Sequence, residues 1–405
     1  MYLNPATDDF DNLIYDKTFI DHTEMLEVIA NTLARPKDKY ICVSRPRGFS
    51  KTTDAKMIVR FYRHGATLSQ FNGLKISENQ EICNKYLGKY NVIYLNMSNN
   101  LDPNVSIDTY LDNLKQHIFL DLQSSFPNVD ISRFKDLSDA FGVIYETLRN
   151  KDNQDYSVVK ENSFIFVVDE WDAPLELYEN DEESQVYYMG WLNSLFKGKN
   201  YLSLTYMTGI LPIKKYSNDS FMNMFTEYSM ADPGVFAPYM GFTEADVMML
   251  CDRYQEEIDD YKAWYDGYLM TTSKKAKNGV LCSDGIKRIF TKFHVYNPKS
   301  ISMAFSMGDI KDYWDNTGSL YALRDFIDTD MLGVRTSIIE MIEGARITVD
   351  TSTFQNDITR FSCMDDILTM LVHLGYLTYD AETKEVYIPN REMMNAFSKI
   401  LHANL

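Results

Sequence analysis

The chain has 405 residues, of which 45% are hydrophobic, and a formal charge of −18; that length and apolar content suit two or three ordered domains and exclude a disordered or fibrous chain. The charge sets the whole molecule against phosphate backbones, so nucleic acid is a disfavoured partner that would need a local basic patch. No apolar run approaches the roughly 20 residues of a membrane span, Met1-Tyr2-Leu3-Asn4-Pro5 is no basic-then-apolar leader, and five cysteines (Cys42, Cys83, Cys251, Cys282, Cys363) without C-x-x-C spacing indicate neither a disulfide framework nor zinc, so a cytoplasmic protein with buried free thiols and no membrane partner is expected.

The first predicted strand, Lys39 to Val43, breaks into a polar loop ending in Lys51-Thr52. This is how a phosphate-binding loop begins. A nucleoside triphosphate brings several negative charges and needs backbone N–H groups, a helix N-terminus and a cation. The candidate nucleotide-binding residues are Arg45, Pro46, Arg47, Gly48, Phe49, Ser50, Lys51, Thr52 and Thr53. Lys51 is the cation for the β and γ phosphates, Thr52 a ligand for Mg²⁺, and a helix from Lys51 to about His64 turns its positive end toward them. The pattern G-x-x-x-x-G-K-[ST] is incomplete: Arg45 stands at the first Gly, Ser50 directly before Lys51, and Gly48 two places early. A Cβ at Ser50 can narrow the loop or shift its register, which would impair hydrolysis more than binding. Lys56, Arg60 and Arg63 share one face of this helix, as a basic patch or, more simply, a solvated face.

Further short strands are read at Asn91 to Asn96, Phe164 to Val168 and Tyr201 to Met207, alternating with helices. The rhythm predicts an α/β fold, a P-loop NTPase with a parallel sheet covered by helices. A strand lies between the loop strand and Phe164 to Val168 in sequence, the order of the additional-strand class. The latter runs straight into Asp169 and Glu170: Asp169 is the second metal residue, holding Mg²⁺ through its water shell, and Glu170 is placed to polarise the attacking water. Thr208 ends the next strand, either as a catalytic residue sensing the γ-phosphate or as a plain strand terminator. Lys51, Asp169 and Thr208 should converge at the carboxyl edge of the sheet. Arg45, Arg47, Lys214 and Lys215 are candidates for stabilising transition-state charge in cis. The acidic run Asp181-Glu182-Glu183 reads as a solvated loop.

From Gly241 the pattern turns helical and suggests a lid beside the nucleotide. Thr243 and Asp246 form a cap ahead of Val247, Leu250, Cys251 and Tyr254 at helical spacing. Tyr254, Tyr261, Trp264, Tyr265 and Tyr268 read as core packing more readily than as a stacking platform, and Lys274, Lys275 and Lys277 before Asn278-Gly279 read as an exposed loop. Near the C-terminus Ser362 and Asp365 cap a helix that Gly375 ends. A hairpin follows, from Tyr376 to Tyr379 and Glu385 to Ile388, and then a helix from Arg391 to Leu401. Helix, hairpin, helix is a winged-helix outline, but no Lys or Arg occurs from Phe361 to Thr383, which favours protein contact over DNA. The expected segments are 1–240 (ATPase core), 241–345 (lid and connection) and 346–405 (winged-helix-like module).

Four motifs give the chain a family resemblance: Asp16-Lys17-Thr18; Arg45-Pro46-Arg47-Gly48-Phe49-Ser50-Lys51-Thr52; Asp169-Glu170-Trp171-Asp172; and Thr208-Gly209-Ile210-Leu211-Pro212-Ile213-Lys214-Lys215. With Gly241-Phe242-Thr243-Glu244, Trp264-Tyr265-Asp266-Gly267-Tyr268, Tyr296-Asn297-Pro298-Lys299-Ser300 and Tyr313-Trp314, the sequence resembles the bacterial AAA-ATPase-like proteins, whose long members carry a PD-(D/E)XK nuclease-like domain. Gly48 and Ser50 replace that family's usual Arg and Gly, and the chain ends at Leu405, where the nuclease-like domain would begin. The resemblance implies ATP and Mg²⁺ as cofactors and Mg-dependent ATP hydrolysis driving a switch, with a protein partner or a second copy of the chain. The alternative is a non-hydrolysing scaffold with a degenerate pocket, working with a nuclease partner.

Overall fold

The computed structural model describes residues 1–151, 161–213, 222–282, 284–314, 327, 330–356 and 361–402. Five strands, β1 (Tyr40–Ser44), β2 (Asn91–Asn96), β3 (Phe164–Asp169), β4 (Leu202–Gly209) and β5 (Thr226–Tyr228), form one parallel sheet in the order β2-β3-β4-β1-β5. Every residue of β1 and β3 is buried, as in a sheet covered on both faces. Alternate residues serve opposite cores: Ile41, Val43, Ile165 and Val167 pack on one side, and Tyr40, Cys42, Phe164, Phe166 and Val168 on the other. The α/β expectation is met, and the strand separating β1 from β3 in space is β4; β2 lies beyond β3.

The helices of this part are α1 (Asp8–Leu13), α2 (Met25–Leu33), α3 (Lys51–Tyr62), α4 (Gln80–Tyr86), α5 (Ile107–Ser125), α6 (Leu137–Lys151), α7 (Ala173–Leu177) and α8 (Glu182–Phe196). α2 and α3 cover one face, while α5, α6 and α8 cover the other. The acidic run is not a loop. Asp181 is the N-cap of α8, accepting from the Ser184 N–H at 3.0 Å, and Glu182 and Glu183 occupy the first turn, where carboxylates favour the helix dipole.

Beyond residue 240 come β6 (Phe242–Thr243), α9 (Glu244–Tyr254), α10 (Ile258–Tyr265), β7 (Tyr268–Leu281), β8 (Lys287–Tyr296) and α11 (Pro298–Met307). Thr243 and Asp246 form a reciprocal capping box, and Tyr261, Tyr265 and Tyr268 are core residues, with Tyr261 stacked on Phe305 at 4.3 Å. The region is not purely helical, however. β7 and β8 form a long antiparallel hairpin, and Lys274, Lys275 and Lys277 lie within β7 rather than in a loop. Only Tyr268 to Thr271 of this strand are buried, so the lysine stretch has no buried face from which a strand could be read.

The chain continues with α12 (Val334–Ile342), β9 (Ile347–Thr348), α13 (Met364–Leu374), β10 (Thr378–Asp380), β11 (Glu385–Tyr387) and α14 (Arg391–His402). The expected helix, hairpin and helix are present, and β9 adds a third antiparallel strand beside β11. Gly375 ends α13 at φ +83°, but the N-cap is Cys363; the Ser362 N–H instead donates to Asp366 Oδ2. Ile338, Leu368 and Phe397 belong to the same contiguous core as Phe49 and Met57, and Gly375 at the end of α13 lies against Pro46 of the phosphate-binding loop. Cys42, Cys83 and Cys251 are buried free thiols, whereas Cys282 and Cys363 are partly exposed. Among the described residues no helix is long and apolar enough to cross a membrane.

Candidate nucleotide site

The loop between β1 and α3 turns through two left-handed residues. Ser50, the N-cap of α3, is left-handed at φ +56°, and Gly48 has φ +81°. The Cβ of Ser50 is therefore accommodated at a strain of about 1–2 kcal/mol. Gly48 is fixed by its neighbours as well as its φ: an added Cβ would lie 2.8 Å from Asn297 Oδ1 and 2.9 Å from Lys299 Cβ. The Lys299 N–H donates to the Gly48 carbonyl at 3.1 Å and Asn297 Nδ2 to the Arg47 carbonyl at 3.4 Å. The N-terminus of α11 thus sits against the loop. Phe49 turns inward, fully buried and edge-on to Tyr268 at 5.2 Å, and Pro46 packs at Gly375; these two shape the loop, leaving only their backbone for a ligand.

Lys51 begins α3 with its ammonium buried, donating to the carbonyls of Arg45 at 2.9 Å and Pro46 at 2.8 Å. Burial lowers its pKa to about 8, against the opposing pull of Asp172, Asp169 and Glu170. Thr52, one residue on, hydrogen-bonds Asp169. Asp169 is fully buried at the end of β3, and its Oδ2 also accepts from Tyr94 at 3.0 Å. Burial raises the Asp169 pKa, and the Thr52 and Tyr94 hydrogen bonds oppose that shift. Among the described residues no three His, Cys, Asp or Glu side chains cluster as a metal site. A hydroxyl and a carboxylate side by side nonetheless fit Mg²⁺, which takes few protein oxygens and completes its shell with phosphate and water. Glu170 follows at φ +50° and lines the same cleft as Lys51, Thr52 and Thr53.

The geometry favours the strand-terminator reading of Thr208 and corrects the expectation for Arg45. Thr208 is fully buried and donates its only hydroxyl proton to the Val43 carbonyl at 2.9 Å; it ties β4 to β1 instead of sensing phosphate. Arg45 has a guanidinium 1% exposed, paired with Asp54 at 2.5 Å and donating to the Tyr239 carbonyl at 2.9 Å. It cannot stabilise transition-state charge without leaving that buried pair. Arg47 keeps half its side chain in solvent, 3.7 Å from Glu176, and lines the cleft. Lys214 and Lys215 lie outside the described residues. The basic face of α3 is also spoken for: Lys56 pairs with Asp9 and Arg60 with Asp11, each at 2.6 Å.

The family model for predicted AAA-ATPases matches residues 5–218, more than half of the chain. The chain belongs to this AAA-ATPase-like family. No curated protein matches it. Among solved structures it has a remote likeness to the Aeropyrum pernix ORC2 protein. The form in ADPNP–ADP complexes has 12% identity and a TM-score of 0.33 over 96% of this chain and 98% of that one; the ADP form has 12% and 0.32 over 94% and 93%.

In this AAA-ATPase-like chain the cleft, about 560 Å³, is roofed by residues without a role assigned from the sequence. Phe10, Leu13, Thr18, Phe19, Ile20 and His22 come from the N-terminal segment, and Phe242, Pro298, Lys299 and Ser302 from the lid side. His22 joins the two walls, its Nε2 lying 3.0 Å from Asp246 Oδ2. Asp16-Lys17-Thr18 and Tyr296-Asn297-Pro298-Lys299-Ser300 were the sequence signals of this roof. Asp172 has a structural role: its buried Oδ2 accepts from the N–H groups of Ile210 and Leu211 at 2.7 and 2.9 Å, locking the turn after β4 to the acidic box.

Proposed function

We propose that this protein binds ATP with Mg²⁺ and hydrolyses it, using nucleotide occupancy as a switch read by the lid and C-terminal elements. The observation that carries the reading is the meeting of Lys51, Thr52 and Glu170 at one cleft, with the buried Asp169 bonded behind Thr52, at the carboxyl edge of a sheet in the additional-strand order. The triphosphate would draw the Lys51 ammonium off the Arg45 and Pro46 carbonyls and lie along the loop's N–H groups. Thr52 and Asp169 would hold the metal, which when bound neutralises charge on the bridging oxygens. Glu170 would orient water for in-line attack. Arg47, half exposed and lining the cleft, would supply a further cation to the phosphates. The three-stranded sheet with α13 and α14 fits a winged-helix-like module turned to protein contact.

Glu170→Gln is expected to bind ATP with wild-type affinity and to release phosphate at least about a hundredfold more slowly, the range for loss of a positioned acid–base group. Wild-type turnover in that variant would remove Glu170 from the mechanism. A second reading, a non-hydrolysing scaffold with a degenerate pocket, draws on one feature: the Lys51 ammonium is already satisfied by two loop carbonyls. Saturable ATP binding without phosphate release would favour it.

A further inference from the structure

The β7–β8 hairpin carries charge opposite to the rest of the molecule. From Thr272 to Phe293 it holds Lys274, Lys275, Lys277, Lys287, Arg288 and Lys292 against the single acid Asp284, in a chain whose formal charge is −18. None of its described residues from 272 to 294 is buried. Arg288 is paired with Asp284 at 2.6 Å, and Lys292 with Asp380 and Glu382 at 2.9 and 2.7 Å, which fastens the base of the hairpin to the C-terminal sheet. Lys274, Lys275, Lys277 and Lys287 have no ion-pair partner among the described residues. The apolar residues Val280 (55% exposed), Leu281 (64%) and Ile289 (51%) stand beside them.

The register distributes these groups over both faces of the ribbon. Lys274 is opposite Ile289 and Leu281 opposite Lys287, while Lys275 is opposite Arg288. Side chains alternate along a strand, so Lys274 and Lys287 point to one side and Lys275 to the other; Lys277 lies where the register shifts between Lys275 and Val280. A flat acidic protein surface would meet only one face. A groove with phosphates on both walls meets both, and the major groove of B-DNA, about 12 Å wide, admits a two-stranded ribbon. Exposed Ser273, Asn278 and Thr291 supply the neutral hydrogen-bonding groups that accompany such backbone contacts, and the apolar residues suit thymine methyl groups.

We infer that the β7–β8 hairpin is a DNA-binding arm that enters a duplex groove with Lys274, Lys275, Lys277 and Lys287 on the phosphates. It overcomes the repulsion of the acidic body locally, so binding is modest and steeply salt-dependent. The test is fluorescence anisotropy of the full chain with a labelled mixed-sequence duplex of about 20 base pairs, beginning at about 50 mM salt. Four phosphate contacts predict a log–log salt slope of about −3.6. Replacing the four lysines together by alanine should weaken binding by about tenfold or more and flatten the slope, whereas Lys→Arg at the same positions should retain both. ATP binding should be unchanged in both variants, because none of the four lines the nucleotide cleft. Absence of binding by the wild type, or equal binding by the alanine variant, overturns the inference. So does loss of self-association in sedimentation without any DNA binding, which would assign the arm to the acidic body of a second copy.

Discussion

At the scale of single residues, the loop was legible where chemistry demands a residue type and obscure where backbone shape does. Lys51, Thr52 and Glu170 line one cleft, and Asp169 is buried behind Thr52. A sequence does not show φ, and Ser50 takes a left-handed value that usually favours glycine. Arg45 was misread and Thr208 left open for a common reason: a buried polar side chain takes whichever partner the packing supplies, here Asp54 and the Val43 carbonyl. The buried state of Lys51 has a measurable consequence. With its pKa lowered to about 8, the free protein loses this charge as pH rises through that value, while bound phosphate restores it. ATP affinity should therefore fall by about tenfold between pH 7 and pH 9, with proton uptake on binding at the higher pH. Calorimetry in buffers of different ionisation enthalpy measures both, and affinity rising over this range would contradict the buried-lysine geometry.

At the scale of elements, the buried parallel strands announce themselves as short β-branched and aromatic runs, and β2, β3 and β4 lie within a residue or two of their expected bounds. The β7–β8 hairpin does not, because its lysine-rich stretch has no buried face to reveal a period of two. Another invisible feature is the join between α11 and α14. Glu392, 2% exposed, accepts from the Ser300 hydroxyl at 2.9 Å and from the N–H groups of Tyr313 and Trp314 at 2.6 and 2.8 Å. Ser300 lies next to Lys299, whose N–H holds the Gly48 carbonyl, so the C-terminal helix is linked to the phosphate-binding loop through one carboxylate. Glu392→Ala should destabilise the fold by about 2–4 kcal/mol, the cost of leaving such donors unsatisfied in a buried site. Urea unfolding measures it, and a change below about 0.5 kcal/mol would show that this join is not a structural tie.

At the scale of the whole molecule, the nucleotide cleft has three walls from distant parts of the chain: the N-terminal segment, the loop and α3, and the lid with the start of α11. Pro46 at Gly375 and Phe49 at Tyr268 bring the C-terminal elements into the same contact network, so a ligand that moves the loop must also move what rests on it. A ligand shifts a switch only by its differential affinity for the two states, about 1.4 kcal/mol for each tenfold, so the proposed switch requires ATP to bind one arrangement of these walls more tightly than the other. The central claim is that Lys51 and its neighbours hold a Mg²⁺-nucleotide. Its most direct test is calorimetric titration of wild type and Lys51→Ala with ATP, with and without Mg²⁺. The account predicts saturable, Mg²⁺-dependent binding by the wild type and its loss in Lys51→Ala; equally tight binding by both proteins would contradict it.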